Sequence, residues 1–176
     1  MSSSPRRSLP MTTPSTARTA VWLAAVAAVL ATTAGCAFGD GRPRPPVPSP
    51  TGSAAAACRA LYDALPERVD GQQRIVFTPK TRYAAAWGDP AIELGCGVPR
   101  PEVLTPGSEH YNPTADSVEV NGVSWLLEQR DGGYRFTTTG RTVFVQVTVP
   151  DTYAPEVNAL TDLADAVRET IPEQPL

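Results

Sequence analysis

The hydrophobic and polar positions divide the chain into three parts. The first contains an unbroken run of twelve apolar residues from Ala20 to Ala31. The second, residues 37–53, has five prolines and no apolar periodicity. In the third, residues 54–176, apolar residues recur at helical spacing or alternate with polar ones. The pattern predicts an apolar N-terminal segment, an extended tether and a single folded domain.

Two segments of the predicted domain carry the spacing of an amphipathic helix. The first begins at Ser53, a residue type that caps helices, and ends at Pro66. The last begins at Pro155, because proline suits the first turn of a helix, and ends at Pro172. Its apolar stripe consists of Val157, Leu160, Ala164, Val167 and Ile171.

Between these helices, alternation predicts antiparallel strands. Asn121-Gly122 favours a type I′ turn that pairs Val120 with Val123, and a second turn lies at residues 131–133. Two further segments each present one apolar face, consisting of Ile92, Leu94, Cys96 and Val98 in one, and Val143, Val145, Val147 and Val149 in the other. A helix, four to five antiparallel strands and a helix predict an α+β two-layer sandwich with both helices on one face.

The N-terminal apolar run is too short to span a membrane comfortably, since twelve helical residues reach about 18 Å against a hydrocarbon core of about 30 Å. Arg18 precedes the run and small residues follow it, which is the order of an export signal. The stretch TAGC, residues 33–36, resembles a bacterial lipobox. We therefore expect residues 1–35 to be a lipoprotein signal peptide, and residues 36–53 to be a proline-rich tether lipidated at Cys36.

Alternatives for this segment stay open. The usual lipobox has Leu where Thr33 stands, so simple secretion is one alternative to lipidation, and an uncleaved anchor is another. Arg6 and Arg7 weakly resemble a twin-arginine export signal, and a start at Met11 would remove that pair. Lipidation would place the domain on the outer face of the cell membrane, whereas secretion would release it.

The net charge of the chain restricts the classes of partner that it can bind. The chain carries fifteen basic and eighteen acidic residues, and its many Arg, Ala, Pro and Gly residues are typical of a high-GC bacterium. All acidic residues follow Cys36, whereas three arginines precede it, so removal of the signal leaves a net charge of −6. A mildly acidic domain is a poor candidate for binding nucleic acid or an anionic lipid surface.

Lipidation of Cys36 would leave Cys58 and Cys96 as a pair. An even number of cysteines outside the cytoplasm indicates a disulfide, and both residues lie on apolar faces of their predicted elements. The bond would therefore join the first helix to the inner face of the sheet. A metal site is the alternative, but the chain has one histidine, His110, so neither a metal nor a cofactor is expected.

Three segments carry a resemblance to a known family: AAAWGDPAIELGCGVPRP, VNGVSWLLEQ and TTTGRTVFVQVTVP, in this order after a cysteine-bearing helix. They resemble the domain of unknown function 3515 family, which comprises secreted proteins and lipoproteins of high-GC Gram-positive bacteria. The resemblance covers nearly all of residues 54–172 and implies a shared fold and location. It implies no catalytic residue, because the family has no established activity.

Enzymatic chemistry has little support in the sequence. A Ser-His-Asp or Cys-His arrangement would need His110, which lies in a Pro/Gly-rich loop. Carboxylate pairs such as Asp89 with Glu93, or Glu109 with Asp116, could cleave a glycosidic bond. Chance pairs are expected among eighteen carboxylates, so no catalytic residue is assigned.

Binding is the better-supported class of function. Trp87 precedes a Gly-Asp-Pro turn and could present its ring to a sugar or partner; the alternative is a core position. The basic residues Arg74, Lys80 and Arg82 suit an anionic wall polymer or an acidic envelope protein, or form an ordinary solvated face. We expect a binding or accessory lipoprotein of the cell envelope, with a cell-wall hydrolase and a structural subunit of an envelope complex as alternatives.

Overall fold

The computed structural model describes residues 47–76 and 80–175. The predicted signal peptide, the lipidated Cys36 and the tether up to residue 46 lie outside the described residues, so these stay predictions. Within the described ranges, no helix combines the length and the apolar character needed to cross a membrane.

The described residues form two α-helices and eight β-strands. The helices are α1 (Gly52–Ala64) and α2 (Asn158–Thr170). The strands are β1 (Arg68–Val69), β2 (Gln72–Ile75), β3 (Ala84–Trp87), β4 (Ile92–Cys96), β5 (Ser117–Val120), β6 (Val123–Arg130), β7 (Gly133–Thr138) and β8 (Val145–Pro150).

All eight strands belong to one antiparallel sheet with the order β1-β2-β3-β4-β8-β7-β6-β5. Consecutive strands pair within two meanders, β1–β4 and β5–β8, which meet where β4 pairs with β8. Because β5 lies at the far edge, the chain after β4 must cross three strands before the second meander begins. Residues 97–116 make this crossing.

The predicted α+β class is confirmed, but the expected number of four to five strands is wrong. The predicted strands correspond to β4–β8, and β1–β3 were missed. These three are short and lack alternation, since β1 has two residues and all four residues of β3 are buried. The turn between β1 and β2, Asp70-Gly71, has φ values of 47° and 74° and is the favoured two-residue hairpin type.

The second meander follows the predicted register. Val120 pairs with Val123 and Val118 with Trp125, across a turn in which Asn121 and Gly122 have φ values of 48° and 79°. Because alternate residues point to opposite faces, this register places Val123 and Trp125 in the core.

The helix starts differ from the predicted ones. The N-cap of α1 is Thr51, whose backbone is extended, so Ser53 lies inside the first turn. Helix α2 begins at Asn158, because Pro155 belongs to a preceding turn in which its carbonyl oxygen accepts a hydrogen bond from the Asn158 amide at 2.9 Å.

Both helices contribute to one core on a single face of the sheet. Their buried side chains include Leu61 of α1, and Leu160 and Leu163 of α2. They cluster with residues that the strand register places on this face: Ile92, Leu94, Trp125, Phe136, Val145 and Val147. A disulfide joins Cys58 of α1 to Cys96 of β4, and both cysteines are 1% exposed.

Helix α2 contacts the strands at both edges of the sheet. At one edge, the Asp162 carboxylate accepts a hydrogen bond of 2.8 Å from the Asp70 amide. At the other edge, the Arg168 guanidinium donates to the Asn121 carbonyl at 2.8 Å. The sheet therefore curls around α2 and leaves its other face outside.

We predict that replacing Cys58 and Cys96 together by Ala lowers the free energy of unfolding by about 4 kcal/mol, because the disulfide restricts a loop of 38 residues in the unfolded chain. Urea unfolding of the variant and of the wild-type protein measures this difference. Wild-type protein kept reduced should unfold at the same urea concentration as the double variant. Equal stability of the oxidised protein and the double variant would contradict the prediction.

Candidate functional site

A cavity of about 580 Å³ lies on the face of the sheet opposite the helices. Its floor comes from strands β6, β7 and β8, and its wall comes from the crossing segment that follows β4. The floor residues are Glu128, Arg130, Arg135 and Gln146. The wall residues are Val98, Pro99, Pro101, Glu102, Val103 and His110.

The strand register explains why polar side chains meet on the floor. Glu93 on β4 pairs with Thr148 on β8, Thr148 pairs with Arg135 on β7, and Arg135 pairs with Glu128 on β6. Directly paired residues point to the same face, so these four form a row across the sheet, which we call the polar row. Except for the exposed Gln129, their neighbours along each strand belong to the core or pack against it, since alternation divides apolar from polar residues.

The wall is a segment that holds its own shape. The Arg100 guanidinium donates a hydrogen bond to the Leu104 carbonyl at 3.0 Å, and the backbone N–H of Asn112 donates one to the Val103 carbonyl at 2.9 Å. Val98 was predicted to share the apolar face of β4, but it lines the cavity instead. The strand ends at Cys96, and Gly97 has a φ of 84°, which interrupts the alternation.

Glu128 lies between two arginines on the floor. Its Oε1 accepts a hydrogen bond from Arg130 at 3.0 Å. Its Oε2 is buried, accepts no hydrogen bond from the described residues, and lies 3.9 Å from Nη1 of Arg135. This distance permits attraction but exceeds a hydrogen bond.

Burial changes the proton affinity of two residues of the polar row. Desolvation lowers the pKa of Arg135, the nearby Arg130 lowers it further, and the negative charge of Glu128 opposes both effects. Desolvation also raises the pKa of Glu93, which is half-buried. Each shift reflects a charge that the fold removes in part from water.

The cavity offers charged groups for binding and few for catalysis. His110 is exposed and lines the wall together with Glu102, but no serine or cysteine belongs to the lining. Within residues 47–76 and 80–175, no three His, Cys, Asp or Glu side chains form a group that could hold a metal ion. The arrangement suits a ligand that carries its own charge and hydrogen-bonding groups.

The structure corrects the hypothesis that Trp87 contacts a ligand. Trp87 is 0% exposed, and its indole nitrogen donates to the Pro66 carbonyl at 3.1 Å. The ring therefore fills the core, because an interior position with a satisfied polar atom leaves no free face.

The predicted basic contacts lie apart from the cavity. Arg74 packs over the ring of Tyr62 at 4.3 Å and donates to the Leu65 carbonyl, so it fastens the end of α1 to β2. Arg82 forms an ion pair with Asp63, and Lys80 is exposed. None of the three basic residues lines the cavity.

The floor residues were missed, although the sequence contains a signal for them. The predicted turn at residues 131–133 is the two-residue loop Asp131-Gly132, which pairs Arg130 with Gly133. Counting back from this turn pairs Glu128 with Arg135 on the face opposite Phe136. The wall residues reach the cavity only because the segment after β4 crosses the sheet at that place. The pattern of apolar and polar residues along the chain does not predict this position.

The fold and the cavity define a disulfide-bonded α+β domain with a cavity on the sheet face opposite the helices. The chain belongs to the family described as "Protein of unknown function (DUF3515)", whose model matches residues 17–176. This finding confirms the resemblance noted in the sequence. No curated protein and no solved structure matches the chain.

We predict that Glu93→Gln slightly raises the melting temperature at pH 7, because the variant removes the cost of a half-buried carboxylate. Because the pKa of Glu93 is higher in the folded state, its carboxylate destabilises the folded protein at pH values above that folded-state pKa. It vanishes below the ordinary Glu pKa of about 4.3, where the side chain is protonated in both states. Thermal unfolding between pH 3.5 and pH 8 should therefore show a difference that disappears in acid.

The matched control for this experiment is Glu119→Gln, because Glu119 lies on the same face of the sheet but is exposed. We expect its melting temperature to follow the wild type throughout the range. A Glu93→Gln variant less stable than the wild type at pH 7 would refute the assignment of an unfavourable burial.

Proposed function

We propose that the protein is a lipoprotein of the cell envelope, with its domain on the outer face of the cell membrane, and that the domain binds a small polar ligand. The observation that carries this proposal is the cavity between the polar row and the segment after β4. Its volume of about 580 Å³ falls within the range of small-molecule sites. The proposal assigns the domain neither a membrane-spanning role nor a nucleic acid partner.

The construction of the cavity favours binding. Its charged floor belongs to the three longest strands of the sheet, whose positions are fixed by pairing on both sides. Its wall is a segment outside the sheet, where insertions and substitutions disturb the core least. A rigid floor with a separate wall is an arrangement that orients ligands precisely enough for selective binding.

The proposed location has support from the sequence and from the disulfide. The signal-like segment ends in the lipobox-like TAGC, and the Cys58–Cys96 bond suits an oxidising compartment outside the cytoplasm. Near the end of the proline-rich tether, Pro50 fills the space where Gly97 has no side chain, one residue before the cavity wall begins at Val98.

A hydrolase is the second candidate, because His110 and two carboxylates, Glu102 and Glu128, line the same cavity. These residue types carry out acid and base catalysis when a substrate lies between them. Loss of turnover in His110→Ala, with retained ligand binding, would favour this function over binding alone.

We predict that the protein recovered from the cell membrane begins at Cys36 and carries an added diacylglyceryl group, because a thiol in a lipobox is the lipidation site. Intact mass spectrometry of the membrane and medium fractions tests this directly. The Cys36→Ser variant should lack the lipid mass and should no longer begin at residue 36. An unlipidated wild-type product found in the medium would refute the anchor.

We predict that Gln146→Trp reduces ligand uptake at least tenfold, because the large ring would occupy the floor of the cavity. Native mass spectrometry of the purified protein, incubated with the low-molecular-mass fraction of a wall digest, measures the bound mass. Glu119→Trp is the control, since Glu119 lies on the same face but outside the cavity lining. Equal uptake by both variants, or none by the wild type, would contradict the proposed binding role.

A further inference from the structure

The Arg135 guanidinium is a cation in the cavity that the described residues hold only loosely. Its side chain is 33% exposed. The nearest carboxylate oxygen, Glu128 Oε2, is 3.9 Å away. A guanidinium has five N–H donors in a planar fork that matches a carboxylate with two parallel hydrogen bonds. An incoming carboxylate would therefore make shorter contacts with Arg135 than Glu128 does.

Glu128 supplies a hydrogen-bond acceptor beside this cation. Its Oε2 is buried and accepts no hydrogen bond from the described residues, whereas its Oε1 is already engaged by Arg130. A buried acceptor without a donor is unfavourable, so a ligand N–H placed there would improve the site. Adjacent side chains in the cavity thus suit a ligand that carries an anion and an N–H donor.

One small ligand can reach both side chains, because Nη1 of Arg135 and Oε2 of Glu128 lie 3.9 Å apart. The last residue of a peptide carries a carboxylate and a backbone N–H on the same Cα atom, so it can offer one group to each side chain. The carboxylate would lie on Arg135, and the N–H would donate to Glu128.

The wall indicates what the rest of the ligand resembles. Val98, Pro99, Pro101 and Val103 give it a largely apolar surface, and no Phe, Tyr or Trp belongs to the cavity lining. Stacking on an aromatic ring, which sugars favour, is therefore not offered by these residues. A small apolar side chain, such as that of Ala or Val, would pack against valine and proline.

We infer that the cavity binds the carboxyl-terminal end of a peptide with a small apolar last residue, held by Arg135 and Glu128 and packed against the wall. This inference rests on the proposed binding role of the cavity and adds the chemical class of the ligand. Binding is non-covalent, so the site needs no reaction partner.

The test is isothermal titration of the purified protein with N-acetyl-alanyl-alanine and with the same dipeptide carrying a carboxyl-terminal amide. The acid should bind at least tenfold more tightly than the amide, because the amide removes the charge that Arg135 would pair with. Arg135→Gln should abolish this preference. Arg82→Gln removes the same charge far from the cavity lining and should keep the preference.

Arg135→Lys adds a second readout, since it keeps the charge and removes the planar fork. We expect it to retain part of the preference for the acid over the amide. Melting temperatures within a few degrees of the wild type would show that each variant is folded. Equal binding of acid and amide by the wild type, or no binding at millimolar concentration, would overturn the inference.

The outcomes separate this inference from the proposed function. If the wall digest supplies a ligand that Gln146→Trp excludes, while the dipeptide acid fails to bind, the cavity is a binding site and the peptide assignment is wrong. If a ten-residue peptide with the same last two residues binds more tightly than the dipeptide, the source is a protein tail. Equal affinity of the two points to a short free peptide.

Discussion

The antiparallel pairing of β4 with β8 is the interaction on which the rest of the fold depends. It joins two meanders whose strands are otherwise paired only with sequence neighbours. Because β8 occupies the place beside β4, the chain that leaves β4 must reach the opposite edge before β5 begins. Residues 97–116 therefore cross the outer face of the sheet, and the cavity exists because they do. Connectivity, rather than any local motif, creates the candidate site.

The same strands serve the core and the cavity through their two faces. On β7, Phe136 is buried against the helices, whereas its neighbour Arg135 lies on the cavity floor. On β8, Val147 and Gln146 divide in the same way. Apolar burial on one side fixes the strands, and this fixes the polar side chains on the other. A change on the cavity floor therefore removes little buried apolar surface.

Local pattern predicted the parts of the fold in which the sequence alternates or turns tightly. The Asn121-Gly122 hairpin and the inward positions of Cys58 and Cys96 are examples. Strand β3 escaped prediction because both of its faces are buried, so its Ala-rich sequence shows no period of two. Trp87 was ambiguous for a related reason: an aromatic residue beside a turn fits either the core or a surface, and only tertiary packing decides. The pairing of Glu128 with Arg135 was missed but could have been derived from a turn already predicted, whereas the wall required the sheet order.

The two edges of the sheet are short. Strand β1 has two residues and β5 has four, and both contact α2. An exposed edge strand offers unpaired backbone groups to the sheet of another molecule, and long edges promote fibrous association. The short strands β1 and β5 offer few unpaired backbone groups to a neighbouring molecule. Because the sheet curls around α2, these groups do not lie along a flat edge. Many copies of this eight-stranded sheet could thus be crowded together without extending one another into aggregates.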